Sequence, residues 1–350
     1  MISVCVLFGG ISSEHEVSLR SAASVIRNIK KDKYIPHMLG ITKEGQWLYY
    51  SGDVQAIESG QWLQNKEFLQ PAIISPDRTK PGILLIDKND IIPLDVAFPV
   101  LHGKNGEDGT IQGLFELAGI PCVGCGVLSS AVCMDKEIAH RLLIEAGIPK
   151  TKLICITKKD MADISSLTYR SEKELGYPIF VKPANTGSSI GVAKAENTTR
   201  LITAIEEAFA WDHKVILEQA VPGREIECAV MGNENPIAAD VLAEIVSAPG
   251  SFYDYNAKYI NDSAKLVIPA HMEPEKAVEI RKLALDVYRA LDCRGFARVD
   301  FFLRPDGKVI LNEVNTIPGF TSISMFPKMF IESGVPYSEI VERLIRYAME

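Results

Sequence analysis

Short apolar runs, each followed by a longer stretch with helical period, recur along the first two thirds of the chain and dictate its class. Residues 4–8, 95–101, 179–182 and 215–218 read as strands, because each is a compact apolar run bounded by glycine, proline or charge. Residues 14–30, 110–117 closed by Gly119, 136–146 closed by Gly147 with Pro149 beyond, and 273–291 read as helices with the usual stop signals. Alternation of this kind buries strands beneath helices, which is α/β architecture. From Ile237 onward strands dominate up to the long helix, and residues 296–303 and 308–314 flank the turn Arg304-Pro-Asp-Gly307, so the second half reads as α+β. A length of 350 residues predicts two to three domains at roughly 150 residues each. Boundaries near 125 and 220 divide the chain into 1–124, 125–219 and 220–350. No repeat of solenoid period and no low-complexity segment interrupts it.

Charge and cysteine usage narrow the function classes. Lys plus Arg is 37 against 45 Asp plus Glu, a net charge of −8, which argues against binding nucleic acid through a generally positive surface. Any phosphate site must be local. With 47% hydrophobic and 23% charged residues the chain can bury substantial cores. No apolar run reaches the ~18 residues of a membrane span, and the apolar opening lacks a basic flank and a cleavage site. Seven cysteines, most of them within apolar runs, fit reduced, packed thiols and a cytoplasmic compartment. Cys122 and Cys125 form a CxxC with no second ligand pair at zinc spacing, so a structural role is expected.

Four constellations carry chemistry. In Gly9-Gly-Ile-Ser-Ser-Glu-His-Glu-Val-Ser18 a strand passes through two glycines into a helix N-terminus, whose free N–H groups suit a polar or anionic ligand. Ser13 and Glu16 have capping-box spacing, which leaves Glu14 to face a ligand amine. The full GxGxxG of dinucleotide sites is missing. In Leu101-His-Gly-Lys-Asn-Gly-Glu-Asp-Gly109, His102 stands at a strand's C-terminal end, where open α/β sheets bind ligands; a surface turn with a satisfied histidine is the alternative. No Walker P-loop is present, yet Lys182 leads into the glycine- and serine-rich turn 185–191 and Lys136 opens a helix, so both can meet phosphates. Downstream, Glu218 ends an apolar strand able to offer a carboxylate and main-chain groups to an adenine, with Glu225 at reach of a ribose.

The fourth constellation is a pair of strands. Arg298 and Asp300 share one face, as do Glu313 and Asn315. An even loop pairing 303 with 308 would converge all four, whereas a three-residue loop would put the pairs on opposite faces. Two carboxylates and an amide oxygen would suit Mg²⁺ carrying phosphates, and Arg298 would stabilise developing negative charge. The polar stretches 42–66 and 247–265 read as loops. The second holds three tyrosines and two lysines and is either a lid or a surface excursion.

These motifs, together with Met134-Asp-Lys136, Phe252-Tyr-Asp-Tyr-Asn-Ala-Lys-Tyr259 and Asn312-Glu-Val-Asn-Thr-Ile-Pro-Gly-Phe-Thr321, closely resemble the D-alanine:D-alanine ligases of the ATP-grasp superfamily, in order from residue 3 to about 345. The resemblance implies a three-domain ATP-grasp ligase of α/β and α+β class, with an N-terminal open α/β domain, ATP held between the central and C-terminal domains, and 247–265 as the lid. It implies that ATP phosphorylates one D-alanine and that a second D-amino acid attacks the acylphosphate, giving the dipeptide of peptidoglycan precursors. Glu14 would hold the first ammonium, linked through Ser188 to Tyr259, with Val17 and His102 lining that subsite. Lys136 and Lys182 would meet ATP phosphates, Glu218 and Val221 the adenine edge, and Glu225 the ribose. Asp300, Glu313 and Asn315 would bind two Mg²⁺ ions, for which Mn²⁺ could substitute. Arg298 and the Gly319 N–H would stabilise the tetrahedral oxyanion, and Lys258 and Ser324 would address the phosphoryl group or the second carboxylate. The family further implies a homodimer, with neither nucleic acid nor membrane as partner.

Branches of the family differ in the second substrate. Tyr259 resembles the amine-using ligases, and the long N-terminal domain with the stretch around 45–69 resembles the D-alanine:D-serine branch. That branch usually carries arginine where this chain has Met325 and phenylalanine where it has Tyr253. Met325 offers no hydrogen bond to a serine hydroxyl and packs well against a methyl group, which favours D-alanine. Two readings from other classes remain as alternatives: a silent ATP-grasp nucleotide binder and a dehydrogenase using the Gly9-Gly10 turn. The first predicts losses among Glu14, Lys182, Arg298, Asp300, Glu313 and Asn315, all of which are present.

Overall fold

The structure, a computed structural model, describes residues 1–187, 189–246 and 265–350. Its first sheet runs β6-β5-β4-β3-β2-β1-β7, from strands β1 (Ile2–Gly9), β2 (Tyr34–Ile41), β3 (Trp47–Tyr50), β4 (Leu69–Ile74), β5 (Gly82–Leu85), β6 (Asp90–Pro93) and β7 (Val96–Pro99). β1 pairs in parallel with β2 and β7, and the edge from β3 to β6 is antiparallel. Helix α1 (His15–Asn28) crosses from β1 to β2, burying Leu19, Ala22, Val25 and Ile26 on the face its 3.6 period presents to the sheet. The stretch 42–66, expected to be a loop, instead contains β3 and helix α2 (Val54–Glu58). Its composition is polar, but Trp62 is fully buried edge-on to Phe8 at 5.1 Å and to Tyr50 at 6.0 Å, and that single ring anchors the excursion.

Helices α3 (Thr110–Ala118), α4 (Val127–Met134) and α5 (Lys136–Glu145) lead to a second sheet ordered β10-β9-β11-β8, from β8 (Leu153–Thr157), β9 (Ile179–Pro183), β10 (Ala193–Ala195) and β11 (Lys214–Gln219), backed by α6 (Ile164–Leu175) and α7 (Thr198–Ala208). The third sheet, among the described residues, runs β15-β14-β12-β16-β17 with β13 beside β12. Its strands are β12 (Arg224–Met231), β13 (Ile237–Ala238), β14 (Ala243–Val246), β15 (Lys265–Val267), β16 (Phe296–Leu303) and β17 (Val309–Asn315), and α8 (Pro274–Ala290) covers one face. Helices α9 (Met325–Glu332) and α10 (Tyr337–Ala348) return to the first sheet, so one apolar core holds Val4, Phe98, Phe296, Phe320, Phe326 and Leu344. All seven thiols are free. Among the described residues no helix is long and apolar enough to cross a membrane.

One local expectation is corrected, and the hairpin register that the sequence left open is decided. The capping box does not form: α1 begins at His15 with Glu14 as N-cap, the Glu14 N–H donates to Ser12 Oγ at 3.0 Å, and Glu16 pairs with Lys43. The hairpin loop is not even, since Leu303 pairs with Val309, but the pairs still converge. A bulge at Asn312 inserts one residue into β17, so Asp300 faces Glu313 and Arg298 faces Asn315.

Candidate active site

β1 ends at Gly9, and Gly9 and the following Gly10 both take positive φ, +89° and +94°. A Cβ at Gly9 would stand 2.1 Å from the Ile41 carbonyl oxygen, so only glycine lets the chain turn there toward α1. The turn delivers Glu14, only 7% exposed, to the bottom of a cleft of about 550 Å³. Two other glycines close on it: Cβ atoms at Gly103 and Gly187 would lie 3.0 and 3.5 Å from Glu14 Oε2. The loop after β7 and the glycine-rich turn after β9 thus meet at one carboxylate. Val17, a turn further along α1, lines the same cleft. His102 is buried at its back, its Nδ1 3.0 Å from the Ile317 carbonyl and its Nε2 3.3 Å from Ser21 Oγ. Burial works against charging this ring, but the neighbouring Glu107 and Glu14 carboxylates raise its pKa overall.

A second cleft separates β9 and β11 from β12 and β16. Phe180, Val192, Val221, Ile245 and Phe302 supply an apolar lining, and Lys182, Glu218 and Glu225 supply charge. Lys182 Nζ lies 2.5 Å from Glu218 Oε2, and Thr151 donates to the same carboxylate. Burial alone would raise the Glu218 pKa, yet Lys182 and Lys150 pull it down to about 2. Lys182 is correspondingly raised, since Glu218 outweighs burial. Asp135 caps α5 through the N–H groups of Glu137 and Ile138, so the helix starts at Lys136. Lys136 donates from Nζ to the Thr186 carbonyl at 2.6 Å. Burial depresses the pKa of Lys136 and of Lys150.

The β16–β17 hairpin forms the wall between the clefts. Arg298 donates from Nε and Nη2 to the two Asp300 oxygens at 2.8 and 2.7 Å, and its Nε is 3.2 Å from Glu227 Oε1. Asn315 Nδ2 donates to Asp300 Oδ2 at 2.8 Å. Burial disfavours the guanidinium charge, but Asp300 and Glu227 raise the Arg298 pKa well above its ordinary value. Among the described residues no three His, Cys, Asp or Glu side chains gather as a metal cage. Two carboxylates and one amide are nevertheless a hard, oxygen-bearing donor set, suited to a divalent cation that brings most of its ligands as phosphate and water. Beyond the hairpin, Gly319 approaches Ser324 so closely that a Cβ would be 2.8 Å from the hydroxyl, and Ser324 Oγ accepts from the Thr321 N–H at 3.0 Å. Met325, 6% exposed, opens α9 and lines the Glu14 cleft.

Of the residues singled out in the sequence, Glu14, Val17, His102, Lys136, Arg298, Glu313, Asn315, Gly319, Ser324 and Met325 line the first cleft. Lys136, Lys182, Glu218, Val221, Glu225, Arg298, Asp300 and Glu313 line the second. Ser188, Lys258 and Tyr259 lie outside the described residues. Sequence reasoning missed Glu227, Glu107 and Lys150. Glu227 was within reach of the period-2 pattern that puts it on the same face as Glu225. Lys150 carries no local signal, because its neighbours in the cleft are distant in sequence.

Two clefts that meet at a buried arginine and a carboxylate-bearing hairpin, one lined by Lys136 and Lys182 and one holding the buried Glu14 carboxylate, define the class of ATP-grasp ligases. Residues 3–125 match the family model for the D-ala D-ala ligase N-terminus, and residues 142–346 match that for the D-ala D-ala ligase C-terminus. A D-alanine–D-alanine ligase of Caldicellulosiruptor bescii is 50% identical over 353 aligned positions, covering 100% of this chain and 95% of that one. The VanG D-Ala:D-Ser ligase from Enterococcus faecalis superimposes with a TM-score of 0.92 at 43% identity over 99% of both chains. The D-alanine-D-alanine ligase from Coxiella burnetii gives 0.86 at 33% identity, over 100% of this chain and 95% of that one. The chain belongs to the D-alanine–D-alanine ligase family.

Proposed function

We propose that this chain joins two D-alanines into D-alanyl-D-alanine with ATP converted to ADP and phosphate, supplying peptidoglycan precursor synthesis. The observation that carries the reading is the shared wall: Lys136, Thr186, Glu227, Arg298 and Glu313 line both clefts, so a nucleotide's terminal phosphate and an amino acid's carboxylate can meet there. Glu14 holds the ammonium of the first D-alanine beside Val17 and His102. Lys136 and Lys182 hold phosphates, Glu218 and Val221 the adenine edge, and Glu225 the ribose. For the charged phosphates Lys182 must share its ammonium between Glu218 and the nucleotide. Asp300, Glu313 and Asn315 would hold two Mg²⁺ ions, which when bound neutralise phosphate charge. A carboxylate oxygen of D-alanine attacks the γ-phosphorus and ADP leaves. The second amine, having lost a proton, then attacks the acyl carbon and phosphate departs. Arg298 and the Gly319 N–H stabilise the tetrahedral oxyanion. Ser188, Tyr259, Lys258 and Ser324 keep the roles that the family pattern gives them, with 247–265 as a lid that excludes water from the acylphosphate.

A second reading, D-alanine:D-serine ligation, is favoured by the close superposition on the Enterococcus enzyme. Met325 argues for D-alanine, because a buried thioether leaves a serine hydroxyl without a partner. The deciding experiment is ADP release with ATP and Mg²⁺ on D-alanine alone and then on equal D-alanine and D-serine, with dipeptides identified by mass. Dominant D-alanyl-D-alanine supports the leading reading. Dominant D-alanyl-D-serine replaces it, and no D-alanine-dependent ADP release removes both. We further infer a cytoplasmic homodimer joined through the N-terminal domain, with domain limits at 1–124, 125–219 and 220–350.

A further inference from the structure

Two strands set the parity of the catalytic hairpin, and the parity is unusual. With Leu303 opposite Val309, an unbroken ladder would place Asn312 opposite Asp300 and Val314 opposite Arg298. The extra residue at 312 places Glu313 and Asn315 there instead. A bulge interrupts the ladder and needs something to hold it. At this point the segment between α5 and β8 intervenes. The Leu311 N–H donates to the Pro149 carbonyl at 2.9 Å, Lys150 and Leu311 form an isolated parallel bridge, and Lys150 Nζ donates to the carbonyl of Asn312 itself at 2.5 Å. The ammonium is set in a small interior cavity beside Glu218, Lys182 and Glu313. A lysine placed there carries a desolvation cost, which the charge-assisted bond to the bulge carbonyl and the Glu218 and Glu313 carboxylates reduce only in part, since burial still holds its pKa below the usual lysine range.

We propose that Lys150 is a positioning residue: by holding the Asn312 carbonyl it fixes the bulge that turns Glu313 and Asn315 toward Asp300, and so it tunes the site for a nucleotide-bound divalent cation. The inference rests on the metal assignment made under the proposed function. It adds a residue that contacts the hairpin from the segment between α5 and β8. Because the bulge, and not general packing, is the object held, the effect falls first on cation and nucleotide binding; Glu313 and Asn315 also line the Glu14 cleft, but Glu14 and Val17, which hold the first D-alanine, stand on the β1–α1 side and keep their places.

The test compares Lys150→Met and Lys150→Arg with the parent chain. Mn²⁺ binding in the presence of ADP, read by electron paramagnetic resonance without turnover, is expected to weaken about tenfold in Lys150→Met and to return to within about threefold in Lys150→Arg. The half-saturating Mg²⁺ concentration for ADP release should rise in parallel, with the KM for D-alanine changed less than about twofold. Should Lys150→Met fail to fold, Lys150→Gln, which keeps a neutral donor, is expected to weaken Mn²⁺ binding more than Lys150→Arg and less than about tenfold. Unchanged Mn²⁺ affinity in the Met and Gln variants, or an equal loss in the D-alanine KM, overturns the positioning role. The Mn²⁺ comparison needs no dipeptide, so a parent chain that binds Mn²⁺ with ADP but forms no D-alanyl-D-alanine would overturn the proposed reaction while leaving this inference decided on its own readout.

Discussion

At the scale of single residues, charge pairs set the site's resting state. The Glu218 carboxylate is buried with Lys182 at 2.5 Å, and its pKa of about 2 means that the folded form binds its proton less readily than the unfolded chain. A depressed folded pKa contributes stability that is present above the unfolded value and is lost as pH falls toward the folded one. Removing the partner with Lys182→Met should therefore destabilise the chain at neutral pH, and the difference from the parent should shrink as pH falls from about 5 toward 3. Urea unfolding of both at stepped pH reads this, and a difference independent of pH would contradict the pair. Met325 carries the second residue-scale expectation. Met325→Arg should raise the share of D-alanyl-D-serine when both amino acids compete, because a donor replaces a thioether at that wall. Product ratios by mass that do not move would place the discrimination elsewhere.

Among elements, the β1–α1 junction shows how far backbone geometry decides the site. Gly9→Ala puts a methyl group 2.1 Å from the Ile41 carbonyl at a positive φ, so β1 must move or the turn must open. A loss of about 1–3 kcal/mol is expected from the strain, together with a raised KM for D-alanine, since Glu14 follows the turn. Denaturation and steady-state kinetics on Gly9→Ala check both, and a loss of stability with an unchanged KM would separate the turn from the subsite. This junction was legible in the sequence, because two glycines between an apolar run and a helix leave few other folds. The helix stops at Gly119 and Gly147 were legible for the same reason, and both glycines take positive φ. Three other features were not. The 42–66 stretch hid β3 and α2 because the apolar run Trp47–Tyr50 is only four residues long and its other anchor, Trp62, stands in polar sequence. The capping box failed because α1 starts two residues after Ser13, with Glu16 turned to Lys43. Hairpin parity depends on a bulge held by Lys150, a contact across 162 residues that no local pattern records.

Across the whole molecule, the first and third of the domains that the sequence divides are joined by one core. Helix α10, at the C-terminal end, packs its buried face of Ile340, Val341, Leu344 and Ile345 into the core shared with β1 and β7. Lys30 and Lys33 on the α1–β2 side pair with Glu339 and Glu342 of the same helix. Between them, Phe320 packs edge-on against Phe98 at 6.1 Å and Phe296 at 5.5 Å, while its carbonyl accepts from the Tyr337 hydroxyl. The loop carrying Gly319 is therefore seated on aromatic rings from the first and third sheets, and its position reports on both. The second sheet has a separate core, built from Ile154, Val181, Leu201 and Leu217. Cutting the shared core should be felt at both ends of the chain and not in the middle. Leu344→Ala is expected to cost about 2–5 kcal/mol by cavity formation. Hydrogen exchange should accelerate in β1 and β7 as well as around Gly319, while β8 to β11 keep their protection, because exchange follows the cooperative unit that opens. Acceleration confined to α10 would show that the helix frays alone. Acceleration through all three sheets would mean that the ATP-binding half has no core of its own, and would count against a central lobe able to open and close over nucleotide while the amino acid subsite stays in place.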